Sequence, residues 1–248
     1  IRVGLSSHQW YIGSRISELE RRGKSVIFTC EKEQSTRFLL AELGMTGLFL
    51  FQSASTGYEK HIHLTFTLKH TIEPTLHYWN PRRFGRIYLF KAKQLQQFTQ
   101  RRFGVNPLSM TLQDFHALVH NTRGRLKAFL LNQHKIAGIG NIYANEILYD
   151  ARIHPHTQGN QLSKAAIARL YISMQSTLQK AIRFGGSSIR DFRAPDGSRG
   201  QFQEHHVIYQ KTGNPCPSGC STTIQRLTTE RSSFYCPACQ KHVSSHGG

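Results

Sequence analysis

Four cysteines near the end of the chain constrain its fold more than any other feature. Cys216, Cys220, Cys236 and Cys239 form two close pairs in the pattern C-x3-C-x15-C-x2-C. Two pairs at this separation can each occupy a turn with a hairpin between them, so that all four sulfurs reach one tetrahedral Zn²⁺. Two disulfides or free thiols are the alternatives. Because the sequence carries no secretion signal, we favour zinc.

The predicted zinc is structural. Four sulfur ligands leave no coordination position open for a water molecule, so the metal would not hydrolyse anything. It would instead stiffen a hairpin that is too small to fold unaided, and this hairpin would present Arg231 from the segment RSSFYC. The remaining cysteine, Cys30, is predicted to be a buried strand thiol.

The charge of the chain indicates a polyanionic partner. Its 248 residues include 32 Lys and Arg against 14 Asp and Glu, a formal net charge of +18. With 38% hydrophobic residues the chain is too apolar for a disordered basic tail, so the charge is expected on a folded surface. No apolar run approaches the ~20 residues of a transmembrane span. We therefore expect an intracellular nucleic-acid-binding protein with no membrane partner, in the cytoplasm or nucleoid, or in an organelle or nucleus.

The distribution of apolar residues predicts an α+β fold. Residues 1–108 are mostly β and form an incomplete sandwich-like N-terminal lobe, whose clearest strand spans residues 60–70. The composition changes at GVNPLS, where we place the boundary to a helical domain of residues 109–203. Residues 204–248 are the zinc hairpin. A sandwich without some of its strands would expose apolar edges, which a protein partner could cover.

The centre of the helical domain is a glycine-rich turn that opens a helix. Gly138 and Gly140 form the turn, and Asn141 is predicted to be the N-cap of a helix that ends near Ile153. The N–H groups at such a helix start can bind a phosphate. An ordinary helix–helix connection is the alternative.

A capping pattern and a long loop mark the rest of this domain. Thr111 and Asp114 have the spacing of a capping box, which predicts a helix over residues 111–120. A long amphipathic helix is predicted over residues 163–184, with Ile182 on its apolar stripe. It is followed by a polar, glycine-rich loop at residues 185–202, which at this length is expected to be functional or disordered.

These motifs together resemble the formamidopyrimidine-DNA glycosylase and endonuclease VIII family. The matching segments are RRGK, LGMTG, KHIHL, NPRRFG and PLS in the first half, then GIGNIYANE with IHP, GGSSIRDF and RSSFYCPACQK. They cover nearly the whole chain in the family's order. NPRRFG and GGSSIRDF are closer to the formamidopyrimidine branch than to bacterial endonuclease VIII. The resemblance implies a helix–two-turn–helix and a zinc hairpin in the C-terminal lobe.

The resemblance also implies roles in DNA binding. Lys24 would contact phosphates at the lesion and assist catalysis, while Met45, Arg82 and Phe84 would fill the gap left by a flipped nucleotide. A thioether and an aromatic ring can wedge into a base stack, and a guanidinium can bind the orphaned base. Taken singly, Met45 and Phe84 could instead be core residues, and Arg82 a solvated charge.

Further residues match the phosphate and lesion contacts of the family. Asn141 and Arg231 would bind the phosphate that flanks the lesion, and His61 would lie near the DNA backbone, although a solvent-facing strand histidine explains His61 nearly as well. The loop at residues 185–202 would cover an extruded oxidised purine. Its candidate base contacts are Ser187, Ser188 and Arg190.

The start of the chain departs from the family pattern. Family members begin with Pro-Glu, in which the proline amine attacks the sugar C1′ and the glutamate transfers protons. This chain begins Ile1-Arg2-Val3 and contains no Pro-Glu pair, and its first acidic residue, Glu18, aligns with an ordinary strand. We expect about a fifth of a typical family domain to be absent from the sequence, judged from the resemblance alone.

Two functions follow from this departure. The first is a bifunctional DNA glycosylase and AP lyase of base-excision repair, acting on double-stranded DNA with an oxidised purine, whose N-terminal segment lies outside the sequence. The second is a catalytically inactive relative that binds DNA or RNA, or serves as a structural subunit of a larger assembly.

Overall fold

The computed structural model describes residues 8–189, 192–228 and 231–241, which form two compact units. The first unit ends at Arg102 but also includes Phe184–Gln203, and the second comprises Phe103–Arg183 with the residues from Glu204 onward. The loop that the sequence analysis placed in the helical domain therefore groups with the β unit. One reason is a main-chain hydrogen bond, in which Phe51 N–H donates to the Pro195 carbonyl at 2.8 Å.

The first unit is built from two antiparallel sheets. Its strands are β1 (Arg15–Arg22), β2 (Ser25–Lys32), β3 (Ser35–Glu42), β4 (Leu48–Phe51), β5 (Ile62–Thr67), β6 (Thr75–Trp79) and β7 (Arg86–Lys91). One sheet has the order β1-β2-β3-β7 and the other the order β4-β6-β5. Apolar side chains from both sheets form one buried cluster, which includes Phe28, Leu39, Phe49, Tyr78 and Leu89. The predicted sandwich-like lobe is confirmed.

The edge strand β1 carries the exposed apolar surface that the sequence predicts for this lobe. All eight of its residues are exposed, and Leu19 is 62% exposed. Strand β1 is exposed because it lies at the end of its sheet, with β2 as its hydrogen-bonded neighbour. Its apolar side chains lie outside the buried cluster. A protein partner for this surface stays a prediction.

A helix in the first unit was missed by the sequence analysis, which describes residues up to 108 as mostly β. Helix α1 (Ala92–Arg102) directly follows β7. Its Phe98 ring packs against Tyr88 and Phe90, with centroid distances of 4.7 and 5.1 Å, and the Arg102 guanidinium donates to the Glu42 carboxylate at 2.7 Å. These contacts join α1 to β7 and β3, and a local apolar pattern does not reveal them.

The second unit is helical and ends in a two-stranded hairpin. Its elements are α2 (Leu112–His120), α3 (Leu126–Leu131), α4 (Asn141–Asp150), α5 (Lys164–Arg183), β8 (Gln225–Leu227) and β9 (Ser233–Tyr235). The predicted capping box of α2 is present, because Thr111 Oγ1 accepts from Asp114 N–H at 3.1 Å and the Asp114 carboxylate accepts from Thr111 N–H. Its core includes the fully buried Leu130, Ile147 and Leu170.

One residue of α5 departs from the predicted stripe. Leu170, Met174 and Leu178 are buried as expected, but Ile182 is 62% exposed. Ala181, at 3% exposure, faces the interior in the last helical turn in its place. Over the described residues, we find no helix with both the length and the apolarity needed to span a bilayer.

Candidate nucleic-acid interface

The four cysteines of the hairpin lie together as predicted. Their sulfur atoms are all within 4.8 Å of one another, with Cys220 and Cys236 at 3.4 Å and Cys216 and Cys239 at 3.7 Å. Zn–S bonds of about 2.3 Å place tetrahedral sulfurs about 3.8 Å apart, whereas a disulfide needs about 2.05 Å. The thiols therefore fit a metal ion and are not paired as disulfides. A bound Zn²⁺ would act here as a structural cross-link.

Hydroxyl groups surround these sulfurs. Ser218 Oγ lies 2.9 Å from Cys239 Sγ, and Thr222 Oγ1 lies 3.1 Å from Cys236 Sγ. Ser218 belongs to the turn between Cys216 and Cys220, and the four sulfurs converge with this C-x3-C spacing. Hydrogen bonds to ligand atoms hold them in the orientation that the metal requires.

The hairpin is fixed to helix α4 by buried polar groups. The Glu146 carboxylate, 5% exposed, accepts N–H groups from Val207, Ile208 and Tyr209 at 2.8–3.2 Å. Burial raises the pKa of Glu146, and these three N–H groups oppose that shift. The Asn145 side-chain oxygen accepts the N–H of Phe234 on β9 at 2.8 Å. The metal-binding hairpin and α4 therefore form one connected structure.

Asn141 is not the N-cap that the sequence predicts. The cap position is Gly140, and Asn141 is the first residue of α4. Its side-chain amide instead donates to the Ser232 carbonyl of the hairpin at 3.2 Å. This bond competes with capping because the amide reaches across to another element. The Asn141 oxygen is buried with no protein partner, beside a polar cavity of about 350 Å³ that Arg226 and Ser232 also line.

The Ser232 carbonyl is also bound by a lysine that the sequence pattern does not single out. The Lys127 ammonium on α3 donates to Ser232 O at 2.6 Å, to Ser233 Oγ at 2.8 Å and to Arg231 O at 3.4 Å. Lys127 is only 5% exposed. Burial, and then the charge of Arg231, lower the pKa of Lys127 to about 8. The only signal in the sequence was a single charge inside the apolar helix LKAFLL.

These two donors fix the backbone next to Arg231. Both Lys127 and Asn141 bind the carbonyl of the residue that follows it, while the Arg231 side chain is exposed. Arg226 donates to Ser232 Oγ at 2.7 Å from the neighbouring strand. These bonds hold the backbone next to Arg231 close to the start of α4, where free N–H groups can receive an anion.

In the first unit, two turns present three of the candidate DNA contacts. Met45 and Phe84 are 68% and 61% exposed, which excludes the alternative that they are core residues, and Arg82 is exposed as well. The turns touch each other, since a Cβ on Gly44 would lie 3.0 Å from Gly85 N. Side chains of the three types expected for a wedge therefore stand on adjoining turns.

The other candidates of this unit lie on separate connections. Lys24 is exposed on the turn between β1 and β2. His61 is exposed directly before β5, with φ at 81°. Their DNA contacts stay predictions.

The lesion-loop candidates divide into three cases. Ser188 is buried, and its hydroxyl donates to Phe192 O and accepts from Gly200 N–H, both at 2.9 Å. This bonding gives Ser188 a part in shaping the loop. Ser187 is half-buried, and Arg190 lies outside the described residues. A base contact by any of the three stays a prediction.

Comparison with known proteins identifies the family. The profile described as the formamidopyrimidine-DNA glycosylase N-terminal domain matches residues 6–87, and that of the H2TH domain of the same enzyme matches residues 103–193. The formamidopyrimidine-DNA glycosylase of Chloroflexus aurantiacus is 37% identical over 231 residues, covering 92% of this chain and 81% of the relative. This chain belongs to the formamidopyrimidine-DNA glycosylase family.

Solved structures of the glycosylase family have the same fold. The crystal structure of the Thermus thermophilus enzyme superposes with a TM-score of 0.82 at 34% identity, covering 94% of this chain and 85% of that chain. The Lactococcus lactis enzyme in complex with abasic-site DNA gives a TM-score of 0.81 at 35% identity, covering 92% of this chain and 83% of that chain. The predicted family and α+β fold are confirmed.

We expect the zinc hairpin of this glycosylase family member to bind one metal ion per chain. Cys236→Ser should abolish zinc binding and lower protection from hydrogen exchange over the hairpin, because the hairpin buries few side chains of its own. Cys30→Ala is the matched control, since Cys30 lies on β2 and should leave the zinc content unchanged. Metal analysis and hydrogen exchange measure both quantities. Full zinc content in Cys236→Ser would contradict the assignment.

We expect Lys127 to make stability depend on pH. Its folded-state pKa of about 8 lies below the ordinary 10.5, so between these values the unfolded chain binds more protons than the folded chain. The free energy of unfolding should therefore rise from pH 8 to 10.5. Below pH 8 the destabilisation from burying the charged Lys127 ammonium should be fully present. Lys127→Met lacks this titration. Denaturant unfolding at several pH values gives the free energy of unfolding of the unaltered protein and of Lys127→Met. A difference between the two that does not change with pH would contradict the lowered pKa of Lys127.

Proposed function

We propose that this protein is a DNA glycosylase and AP lyase of base-excision repair that acts on oxidised purines. The observation that carries the proposal is the pair of adjoining turns in the first unit. They hold a thioether, a guanidinium and a phenyl ring in exposed positions, through Met45, Arg82 and Phe84. An enzyme that extrudes a nucleotide must fill the gap in the stack, and these groups can do so.

Phosphate binding is assigned to both units. In the second unit, Asn141 and Arg231 would bind the backbone phosphate beside the lesion, since hydrogen bonds to Ser232 O hold the backbone next to Arg231 close to the start of α4. In the first unit, Lys24 and His61 would contact the backbone. The charge of +18 supports a large electrostatic contribution to binding.

The chemical step needs an amine nucleophile. An amine that attacks C1′ displaces the damaged base, and cleavage of the C1′–O4′ bond then opens the sugar to a Schiff base. Loss of a C2′ proton from this Schiff base expels the 3′-phosphate by β-elimination, which breaks the strand. The resemblance assigns this amine to an N-terminal proline followed by glutamate, and no Pro-Glu pair occurs among the 248 residues. Lys24 is proposed as an auxiliary group only. The test therefore uses the natural protein with its N-terminal sequence determined.

Known complexes support a damaged-DNA substrate. The Lactococcus lactis relatives are described in complex with DNA that contains Fapy-dG or an abasic site. The relatives compared carry the glycosylase name, and nothing among them supports the alternative of an inactive binding module. We therefore favour an active enzyme on double-stranded DNA over an RNA-binding or structural subunit.

Borohydride trapping tests this function directly. The natural protein is incubated with a duplex that contains one oxidised purine, and borohydride reduces any Schiff base to a stable adduct. We expect a covalent protein–DNA adduct on this duplex and none on the same duplex with an undamaged purine. Mass spectrometry of the adduct then identifies the amine that attacked.

Two results would count against the proposal. Tight binding to the damaged duplex without an adduct would contradict the enzyme and favour a binding module. Equal binding to damaged and undamaged duplexes, again without an adduct, would remove lesion recognition as well.

A further inference from the structure

A buried asparagine lies beneath the turns that carry the candidate wedge. Asn80 directly follows β6, the central strand of its sheet, and is 1% exposed. It is one of the few polar residues buried in the described part of this unit. A buried amide must have its hydrogen bonds satisfied, so its partners show what it holds.

The side chain of Asn80 contacts the turn that carries Met45. Its Oδ1 accepts from Thr46 Oγ1 at 3.5 Å, and Thr46 is the residue next to Met45. Its Nδ2 donates to the Tyr78 hydroxyl at 2.9 Å. Tyr78 is 4% exposed in the core, so this bond ties the amide to the body of the unit.

The main chain of Asn80 contacts two more surface turns. Its N–H donates to the His61 carbonyl at 3.0 Å. Its carbonyl accepts from Arg83 N–H at 3.2 Å and from His63 Nε2 at 2.9 Å. Arg83 lies between Arg82 and Phe84, so one residue is bonded to segments that carry Met45, His61, Arg82 and Phe84.

Both residues that its backbone binds on these turns are strained. His61 has φ at 81° and Arg83 has φ at 56°, in the left-handed region that non-glycine residues rarely adopt. Such conformations persist only where the surroundings enforce them, and they concentrate at functional sites. The Asn80 backbone is hydrogen-bonded at both positions, as the donor to His61 O and as the acceptor from Arg83 N–H.

Gly85 packs directly against Asn80 and Tyr78, where there is no room for a Cβ. A Cβ on Gly85 would overlap the Tyr78 hydroxyl and lie 2.5 Å from Asn80 Nδ2. The turn that carries Arg82 and Phe84 therefore rests directly on the pair of Asn80 and Tyr78. A displacement of Asn80 and Tyr78 would therefore displace Arg82 and Phe84 as well, because close-packed groups transmit such movements.

We propose that Asn80 is the positioning residue that sets the spacing of Met45, Arg82 and Phe84 for insertion into a DNA stack. The inference rests on the proposed function. Bases along a strand are spaced about 3.4 Å apart, so three side chains that enter one gap tolerate only small errors in their spacing. Asn80 does not touch DNA itself; it acts by holding the turns.

The test compares binding to two duplexes by the full chain. One duplex carries an abasic-site analogue opposite 2-aminopurine, whose fluorescence rises when its stacking is disturbed, and the other is undamaged. We expect Asn80→Ala to weaken binding to the abasic duplex roughly tenfold and to reduce the fluorescence rise. Binding to the undamaged duplex should change by less than about twofold, since phosphate contacts dominate it.

Matched variants separate positioning from stability. Tyr78→Phe removes only the acceptor of Asn80 Nδ2. It should weaken binding to the abasic duplex by less than Asn80→Ala does. Leu39→Ala removes buried apolar volume from the middle of β3, and it should lower Tm while it keeps the preference for the abasic duplex. In a Met45→Ala background, Asn80→Ala should cost less than it does alone, because one of the groups it positions is already missing.

Two results would overturn the inference. One is that Asn80→Ala binds the abasic duplex as tightly as Leu39→Ala does and gives the same rise in 2-aminopurine fluorescence. The other is an equal loss of binding to both duplexes. If the unaltered protein itself fails to prefer the abasic duplex, the proposed function fails instead, and that outcome is seen before any variant is made.

Discussion

In the second unit, one carbonyl group joins the hairpin to helices α3 and α4. Ser232 O accepts hydrogen bonds from the Lys127 ammonium of α3 and from the Asn141 amide of α4. Hydrogen bonds from a charged donor contribute about 1.5–3 kcal/mol, against about 1 kcal/mol for a neutral pair. Lys127 is therefore the stronger of the two constraints. Together they fix the backbone next to Arg231 relative to the start of α4, whereas an exposed ion pair contributes only about 0–1 kcal/mol.

The metal and this carbonyl act on opposite ends of the same hairpin strand. Ser232 precedes β9, and Cys236 follows it. Zinc would hold the far end, while the hydrogen bonds to α3 and α4 hold the near end. Between these points, Asn145 of α4 accepts the N–H of Phe234, and Glu146 of α4 accepts the N–H groups of the segment 207–209 that precedes the hairpin. A small element with little core of its own thus gains a defined position from polar contacts on both sides.

The sequence predicts the ligands and the fold well, but it does not predict the contacts between elements. The spacing of four cysteines and the Thr111 capping box depend on local geometry, and both are found as expected. Asn141 was assigned as an N-cap because local spacing cannot show that its amide reaches Ser232. Local spacing does not reveal Lys127 or Asn80 either, since the Ser232 partner of Lys127 and the Thr46 partner of Asn80 lie far along the chain. Helix α1 likewise depends on packing against β7.

A double-mutant cycle on DNA binding tests most directly whether Lys127 acts by holding Arg231 in place. The dissociation constants are measured for the unaltered protein, Lys127→Met, Arg231→Ala and the double variant at one salt concentration. The account predicts non-additive losses, with a coupling of about 1 kcal/mol or more, because Lys127→Met should cost little once Arg231 is absent. Losses that add within about 0.5 kcal/mol would contradict it.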